Sequence, residues 1–237
     1  MNRLLKAATF LTTLIVCTQS WSYQLPGQFL LEAGGFYSTQ GKNQIIYIDG
    51  LIGDEFTVND RHDKNILVGA AWVFNGYKNC QYGIDYGINA FYFAKSRVKG
   101  TIVQELLFEN LAYKYDVTHV PVYLFAKGYV NTNYYFTGIT VDVGIGPNFM
   151  KTDMQGDSSL DGITLPDDLF TGNTSNTVFS AMAGIGVKFC LNQIPLELGY
   201  RYFYLGEGEF KRRKPAIINK LKTGTISAQA LMLTVYL

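Results

Sequence analysis

From Ile226 onward the chain alternates. Leu231, Leu233, Val235 and Leu237 fall on one side of a period of two, and Ala228, Ala230, Met232, Thr234 and Tyr236 fall on the other. That is the pattern of a β-strand with two unlike faces. The same alternation recurs along the chain. It predicts strands over Phe29–Tyr37, Ile66–Phe74, Tyr82–Ala94 (with a continuation towards Val103), Leu111–Val130, Tyr135–Met150, Thr177–Cys190, Pro195–Phe210 and Thr223–Leu237. Turn-forming residues separate them, as in Asn75-Gly76-Tyr77-Lys78-Asn79, Asn131-Thr132-Asn133 and Asn192-Gln193.

The connections alternate in length. Those after the second, fourth and sixth strands are short. Those after the first, third, fifth and seventh are long: Ser38–Asn65, Lys95–Asn110, Lys151–Asn176 and Lys211–Lys222. Short turns at one end and long loops at the other are the layout of a transmembrane barrel, and a soluble sandwich has no reason to show it. The faces agree. Ile139, Val141, Val143 and Ile145 oppose Thr140, Asp142, Gly144 and Gly146. Phe179, Ala181, Ala183, Ile185, Val187 and Phe189 oppose Ser180, Met182, Gly184, Gly186 and Lys188. Leu196, Leu198, Tyr200, Tyr202 and Tyr204 oppose Glu197, Gly199, Arg201 and Phe203. The apolar sets are expected to meet lipid, because a basic residue there costs about 2–4 kcal/mol at mid-bilayer. Tyrosines near strand ends are expected to form the interfacial girdle.

Composition sharpens this. Charged residues make up 16% of the chain and aromatics 15%, with 17 tyrosines. No later segment reaches the roughly 18 apolar residues of a membrane helix. Strands with one lipid face dilute the hydrophobic signal by half. The net charge of +1 argues against a nucleic-acid partner. At the start, Asn2-Arg3-Leu4-Leu5-Lys6 and the apolar stretch Ala7–Val16 read as an export signal, with cleavage expected after Ser22 and one β domain over residues 23–237. Lipidation at Cys17 is the rival reading, disfavoured by Val16 before it.

Four runs carry a resemblance: Leu196-Glu197-Leu198-Gly199-Tyr200-Arg201-Tyr202, Val143-Gly144-Ile145-Gly146, Ala183-Gly184-Ile185-Gly186 and the apolar closing strand. With them the chain resembles the small eight-stranded outer-membrane β-barrels related to the outer-membrane protein A transmembrane domain and the opacity-type surface proteins. The resemblance covers residues 23–237. It implies an all-β, eight-stranded, antiparallel up-and-down transmembrane barrel in the cell outer membrane, with short periplasmic turns and long extracellular loops. It also implies contact with lipid, lipopolysaccharide and the barrel-insertion machinery. The sequence departs from the family at Leu237, where an aromatic is usual.

The inner faces gather Glu32, Asp85, Asp142 and Glu197 against Lys127, Lys188 and Arg201. Mutual pairing would offset the desolvation of a lumen plug; a gated pore is the alternative, disfavoured because eight strands enclose little beyond their own side chains. His119 stands in Thr118-His119-Val120-Pro121, where lipid A deacylases of similar size carry a serine two residues on. His62 lies beside Asp63 in the first loop, where a solvated histidine is the plain reading and water activation the functional one. Asp157, Ser159, Asp161, Gly162 and Asp168 match positions 1, 3, 5, 6 and 12 of a calcium loop, although Asp replaces Glu at the last and Pro166 interrupts. Lys211, Arg212, Arg213, Lys214, Lys220 and Lys222 make the last loop basic: either a lipopolysaccharide contact or a hairpin paired with Asp153, Asp157 and Asp161. Cys80 and Cys190 fall at the same end of the barrel, which permits a disulfide if the first turn folds over the mouth.

The expected function is a non-enzymatic, monomeric surface barrel without cofactor. Its loops give it an envelope-structural or adhesin-like role towards a host or cell-surface ligand. A narrow small-solute channel is the alternative, and a lipid A or surface hydrolase the third.

Overall fold

A computed structural model describes residues 27–79, 81–132, 138–170 and 172–237. The strands are β1 (Gln28–Thr39), β2 (Gln44–Ile46), β3 (Asp54–Asp60), β4 (His62–Lys78), β5 (Tyr82–Gln104), β6 (Phe108–Val130), β7 (Gly138–Ser159), β8 (Asn173–Leu191), β9 (Ile194–Glu209) and β10 (Lys222–Tyr236). Eight of them close an antiparallel ring in the order β1, β4, β5, β6, β7, β8, β9, β10 and back to β1. Closure leaves the ring without an unpaired edge, which a bilayer demands. The short β2 and β3 form a hairpin inside the first loop, and β3 extends the sheet by pairing with the far end of β5.

The apolar faces point outward where the sequence places them. Leu231, Ile185, Val143, Leu124, Ile88 and Ile66 are exposed on the barrel wall. Most of their neighbours along each strand point into the lumen and are buried. Exposed Tyr37 and Tyr92 stand near the outer edge of this band, and Tyr77 and Tyr82 near the periplasmic turns.

Two predicted long loops are partly strand, the first of them along the continuation expected towards Val103. Lys95–Asn110 is a continuous hairpin of β5 and β6, turned at Glu105 and Leu106, both with positive φ. β7 runs nine residues past Met150, to Ser159. The reason lies in the pattern. Beyond the apolar band Val98, Ile102, Leu111, Tyr113, Tyr115 and Met154 point inward and are buried, while Lys95, Lys99 and Lys114 point outward. The period of two persists but its polarity inverts, so the barrel continues above the membrane as an ordinary water-facing structure with an apolar interior. The second strand likewise begins earlier than expected, at His62. Its far end runs through a bulge to Lys78, where a turn was expected.

Candidate functional site

Register builds the lumen. Asp85, Lys127 and Asp142 are successive cross-strand partners on β5, β6 and β7. Asp142 pairs across to Gly184, and Gly184 to Arg201. Glu32 pairs to Thr234, Thr234 to Glu197, and Glu197 to Lys188. Opposite charges therefore face one another inside the ring. The Arg201 guanidinium donates to Asp142 through Nε at 2.9 Å and reaches Glu32 at 2.5 Å and Glu197 at 3.9 Å. Lys127 Nζ donates to both Glu197 oxygens at 2.8 and 2.7 Å and lies 3.7 Å from Asp142. Tyr236 OH donates to Glu197, Asn89 Nδ2 donates to Glu32 at 2.7 Å, and Arg201 stacks 5.6 Å from the Phe91 ring. All five charged groups are buried. Pairing is what makes that tolerable, since each ion alone would cost several kcal/mol to desolvate. Gly184 is where the backbone must come close: a Cβ there would collide with the Asp142 carboxylate and stand 2.6 Å from Arg201 Cγ.

The two remaining predicted members stand towards the periplasm. Asp85 lies 3.8 Å from Lys78, and Lys188 Nζ sits 3.9 Å above the Tyr236 ring. Asn89, Thr234 and Tyr236 were missed because none is ionised at neutral pH; their inward parity was the available signal.

Above the ions the lumen is aromatic. Phe203 packs edge-on against Phe91 at 5.2 Å and Phe93 at 5.1 Å, and Phe36 meets Phe93 at 5.1 Å. These rings are buried and fill the bore. His119 belongs to this layer: it is buried, with Nδ1 3.0 Å from Asn148 Nδ2, and Asn148 donates to Leu205 O at 2.7 Å. His62 lies outside, stacked on Tyr37 at 5.1 Å with Nδ1 3.3 Å from Thr39 Oγ1.

Higher still, the loops fuse into a cap. Phe56 of β3 contacts Tyr113 at 5.1 Å and Phe170 at 5.8 Å, and Tyr115 contacts Phe210 at 4.9 Å. Asp157 and Asp168 clasp each other's backbone: each carboxylate accepts from the other's N–H, at 3.1 and 3.2 Å. Burial pushes the Asp157 carboxyl up to about 6, and it raises Asp54 as well. The first loop joins the last through Ile48 and Ile217, and joins the β5–β6 turn through Ile52 N, which donates to Glu105 at 3.0 Å. Asn110 donates to Thr164 at 3.2 Å and ties in the third loop.

No family model matches the chain, and no curated protein matches it. Among solved structures, the outer membrane protein OprG from Pseudomonas aeruginosa superposes with a TM-score of 0.51 over 89% of this chain and 96% of that one, at 14% identity. The chain has the small outer-membrane β-barrel fold. Neisserial surface protein A (TM-score 0.41, 11% identity, 87% and 96% covered) and Ail, the attachment invasion locus protein of Yersinia pestis (0.38, 12%, 90% and 100%), are also similar. At these identities the likeness is one of fold.

The remaining predicted residues fall as follows. Asp161 turns onto its own loop, accepting from Ser159 Oγ at 2.8 Å and from the Ile163 and Thr164 amides, and the Thr164 hydroxyl above all holds its carboxyl well below the usual range. The calcium pattern thus divides between this turn and the Asp157–Asp168 clasp. Among the described residues no three His, Cys, Asp or Glu side chains are placed to hold a metal. The basic loop is largely paired, though not with the acids expected. Arg213 meets Asp168 at 3.4 Å, Lys214 meets Asp167, Lys220 meets Glu209 at 2.6 Å and Lys222 meets Glu207 at 3.3 Å. Arg212 donates to the carbonyls of Ile217 and Ile218, at 2.7 and 3.0 Å. Cys190 is exposed beside the β8–β9 turn. Cys80, the signal segment and residues 133–137 lie outside the described residues.

Proposed function

We propose that this chain is a non-enzymatic surface barrel of the outer membrane whose fused cap makes adhesin-like contacts with a partner outside the cell. One observation carries the reading. The tips of the cap, which face water, are apolar: Leu107 is 71% exposed, Ile163 85% and Leu165 83%, with Leu51, Ile52 and Phe108 beside them. Large apolar side chains gathered on loops that are bonded to one another, Ile52 to Glu105 and Asn110 to Thr164, support contact with another molecule. The tips come from three loops that the hydrogen bonds above hold together. They therefore form one preassembled surface, which lowers the ordering cost of binding.

The experiment compares cells displaying the wild-type chain with cells displaying Leu107→Ser/Ile163→Ser, measured by adherence to host-cell monolayers. Adherence is expected to fall at least fivefold with unchanged surface display. Equal adherence would overturn the contact role of the tips. The same preparations, reconstituted in planar bilayers, are expected to give no unitary conductance steps, because Arg201 and the Phe91–Phe93–Phe203 layer fill the bore; discrete steps would favour the channel reading.

A further inference from the structure

The edge of the lipid-facing band differs between the two sides of the barrel. On β4, β5, β6 and β7 the first outward residues beyond the apolar band are Lys64, Lys95, Thr118 and Lys151. They stand at one height. Asn65 Nδ2 donates to Lys95 O at 2.8 Å, which fixes β4 beside β5, and Thr118 is the cross-strand partner of Lys151. Two outward steps higher, past the Arg97–Asp116 ion pair, Lys99 and Lys114 are direct cross-strand partners, a like-charge pairing that a sheet ordinarily avoids. On the other side, the cross-strand partners are uncharged: Lys64 faces Tyr37, Tyr37 faces Gln229, and Lys151 faces Ser175.

All five lysines are exposed, and none makes an ion pair among the described residues. Two nearby acids, Asp63 and Asp116, are engaged elsewhere. Asp63 accepts from the Arg97 and Lys64 amides, and Asp116 binds Arg97 at 2.7 Å and Gln155 at 2.6 Å. Asp60 stands opposite Lys99 in register without a bond between the side chains. The last loop, by contrast, spends most of its cations on carboxylates of the third loop and of β9.

We infer that Lys64, Lys95, Thr118 and Lys151, with Lys99 and Lys114 above them, form a binding site for the phosphate-bearing headgroup of an outer-leaflet lipid. Height selects the lipid: acyl chains would lie on Ile66, Tyr92, Val120 and Phe149 directly below, and the headgroup would meet the lysines. Adjacent strands are about 4.8 Å apart, so Lys64 and Lys95 converge on one phosphate, while Lys151, two strands on, lies about 10 Å from Lys95. A headgroup with two phosphate groups matches that spacing, with the Thr118 hydroxyl between them as donor. Lysine is a point-charge phosphate binder and needs no fixed fork.

The test uses the full chain in phosphatidylcholine nanodiscs doped with diphosphoryl lipid A, monophosphoryl lipid A or fully dephosphorylated lipid A, with co-retained lipid counted by native mass spectrometry. Retention is expected in the order diphosphoryl, monophosphoryl, dephosphorylated. It should fall at least tenfold in Lys64→Ala/Lys95→Ala/Lys151→Ala, persist in the triple Lys→Arg variant, and survive Arg213→Ala/Lys214→Ala in the last loop. Heat-dependent gel mobility checks that each variant is a closed barrel. Equal retention by wild type and the triple alanine variant overturns the site. Displacement of the lipid by millimolar inorganic phosphate would overturn the lipid assignment and leave a free-phosphate site.

Discussion

Below about Phe149 the barrel is built inside out; above it, the right way round. β6 passes through both regions. In the membrane half its outward positions are Leu124, Val122 and Val120 and its inward ones include Lys127. In the cap its outward Lys114 is exposed, while Tyr115, Tyr113 and Leu111 are buried within. The backbone ladder is the same throughout, and the inversion follows from the surrounding solvent alone. Lipid leaves the membrane half nothing to gain by hiding apolar surface, so its interior must be held by charge pairing, hydrogen bonds and tight packing. The cap meets water and gains about 25 cal/mol for each Å² of apolar surface it hides. The two halves should therefore fail differently.

The largest effect is expected from Arg201→Met. It removes the cation shared by Glu32, Asp142 and Glu197, and breaking a buried pair on one side only costs about 3–5 kcal/mol. Urea unfolding of the barrel in phosphatidylcholine vesicles, followed by loss of the fast-migrating gel band, should show that loss. The combined variant Arg201→Met/Glu32→Gln/Asp142→Asn should recover most of it. A single variant as stable as wild type would mean that the ions contribute nothing and would remove half of the contrast. Phe56→Ala opens the cap core instead, with a large-to-small cost of about 3–4 kcal/mol. Here the expected signature is local: faster protease nicking within residues 47–54 and 160–168, with the heat-dependent gel shift retained. Loss of the gel shift would show that cap and membrane half unfold as one unit.

This contrast also explains what the sequence disclosed. In the membrane half, each strand and its outward face could be read from alternation, because lipid enforces one polarity along β7, β8, β9 and β10. The lumen charges were legible by parity: Glu32, Lys127, Asp142, Glu197 and Arg201 meet as their inward positions imply. The cap was not legible, because a search for lipid-facing apolar positions passes over strands whose apolar side is inward. The exception is Val98, Gly100 and Ile102, which alternate with Arg97, Lys99 and Thr101 as clearly as any membrane strand, and there the third strand can be followed towards Val103. Residues without local periodicity carried no such signal. The pairing of Arg213 with Asp168 and of Lys214 with Asp167 depends on how the third and last loops meet, which only the tertiary structure decides.

The smallest effect, and the one that separates the halves most sharply, is a pH dependence confined to the cap. Asp157 is held with its carboxyl raised from 3.8 to about 6, chiefly by burial and then by the neighbouring Asp168, Asp167 and Asp54. The closed cap thus keeps a proton that an opened cap gives up. Between about pH 4 and 6 the closed state binds more protons, so the stabilisation is complete below about pH 4 and is lost as pH rises through 6. Asp157 is partly solvated, which limits the contribution to roughly 1–2 kcal/mol. Amide exchange of Leu169 and Phe170, corrected for intrinsic rates, should show greater protection at pH 5 than at pH 7.5. Asp157→Asn keeps an acceptor for the Asp168 N–H and stays neutral, so it should flatten most of the slope; Asp54, raised in the same direction, accounts for the remainder. Lipid-facing strands in the same sample should show no such dependence. Equal protection of Leu169 and Phe170 at both pH values, or an unchanged slope in Asp157→Asn, would remove Asp157 as the titrating group that sets the stability of the clasp.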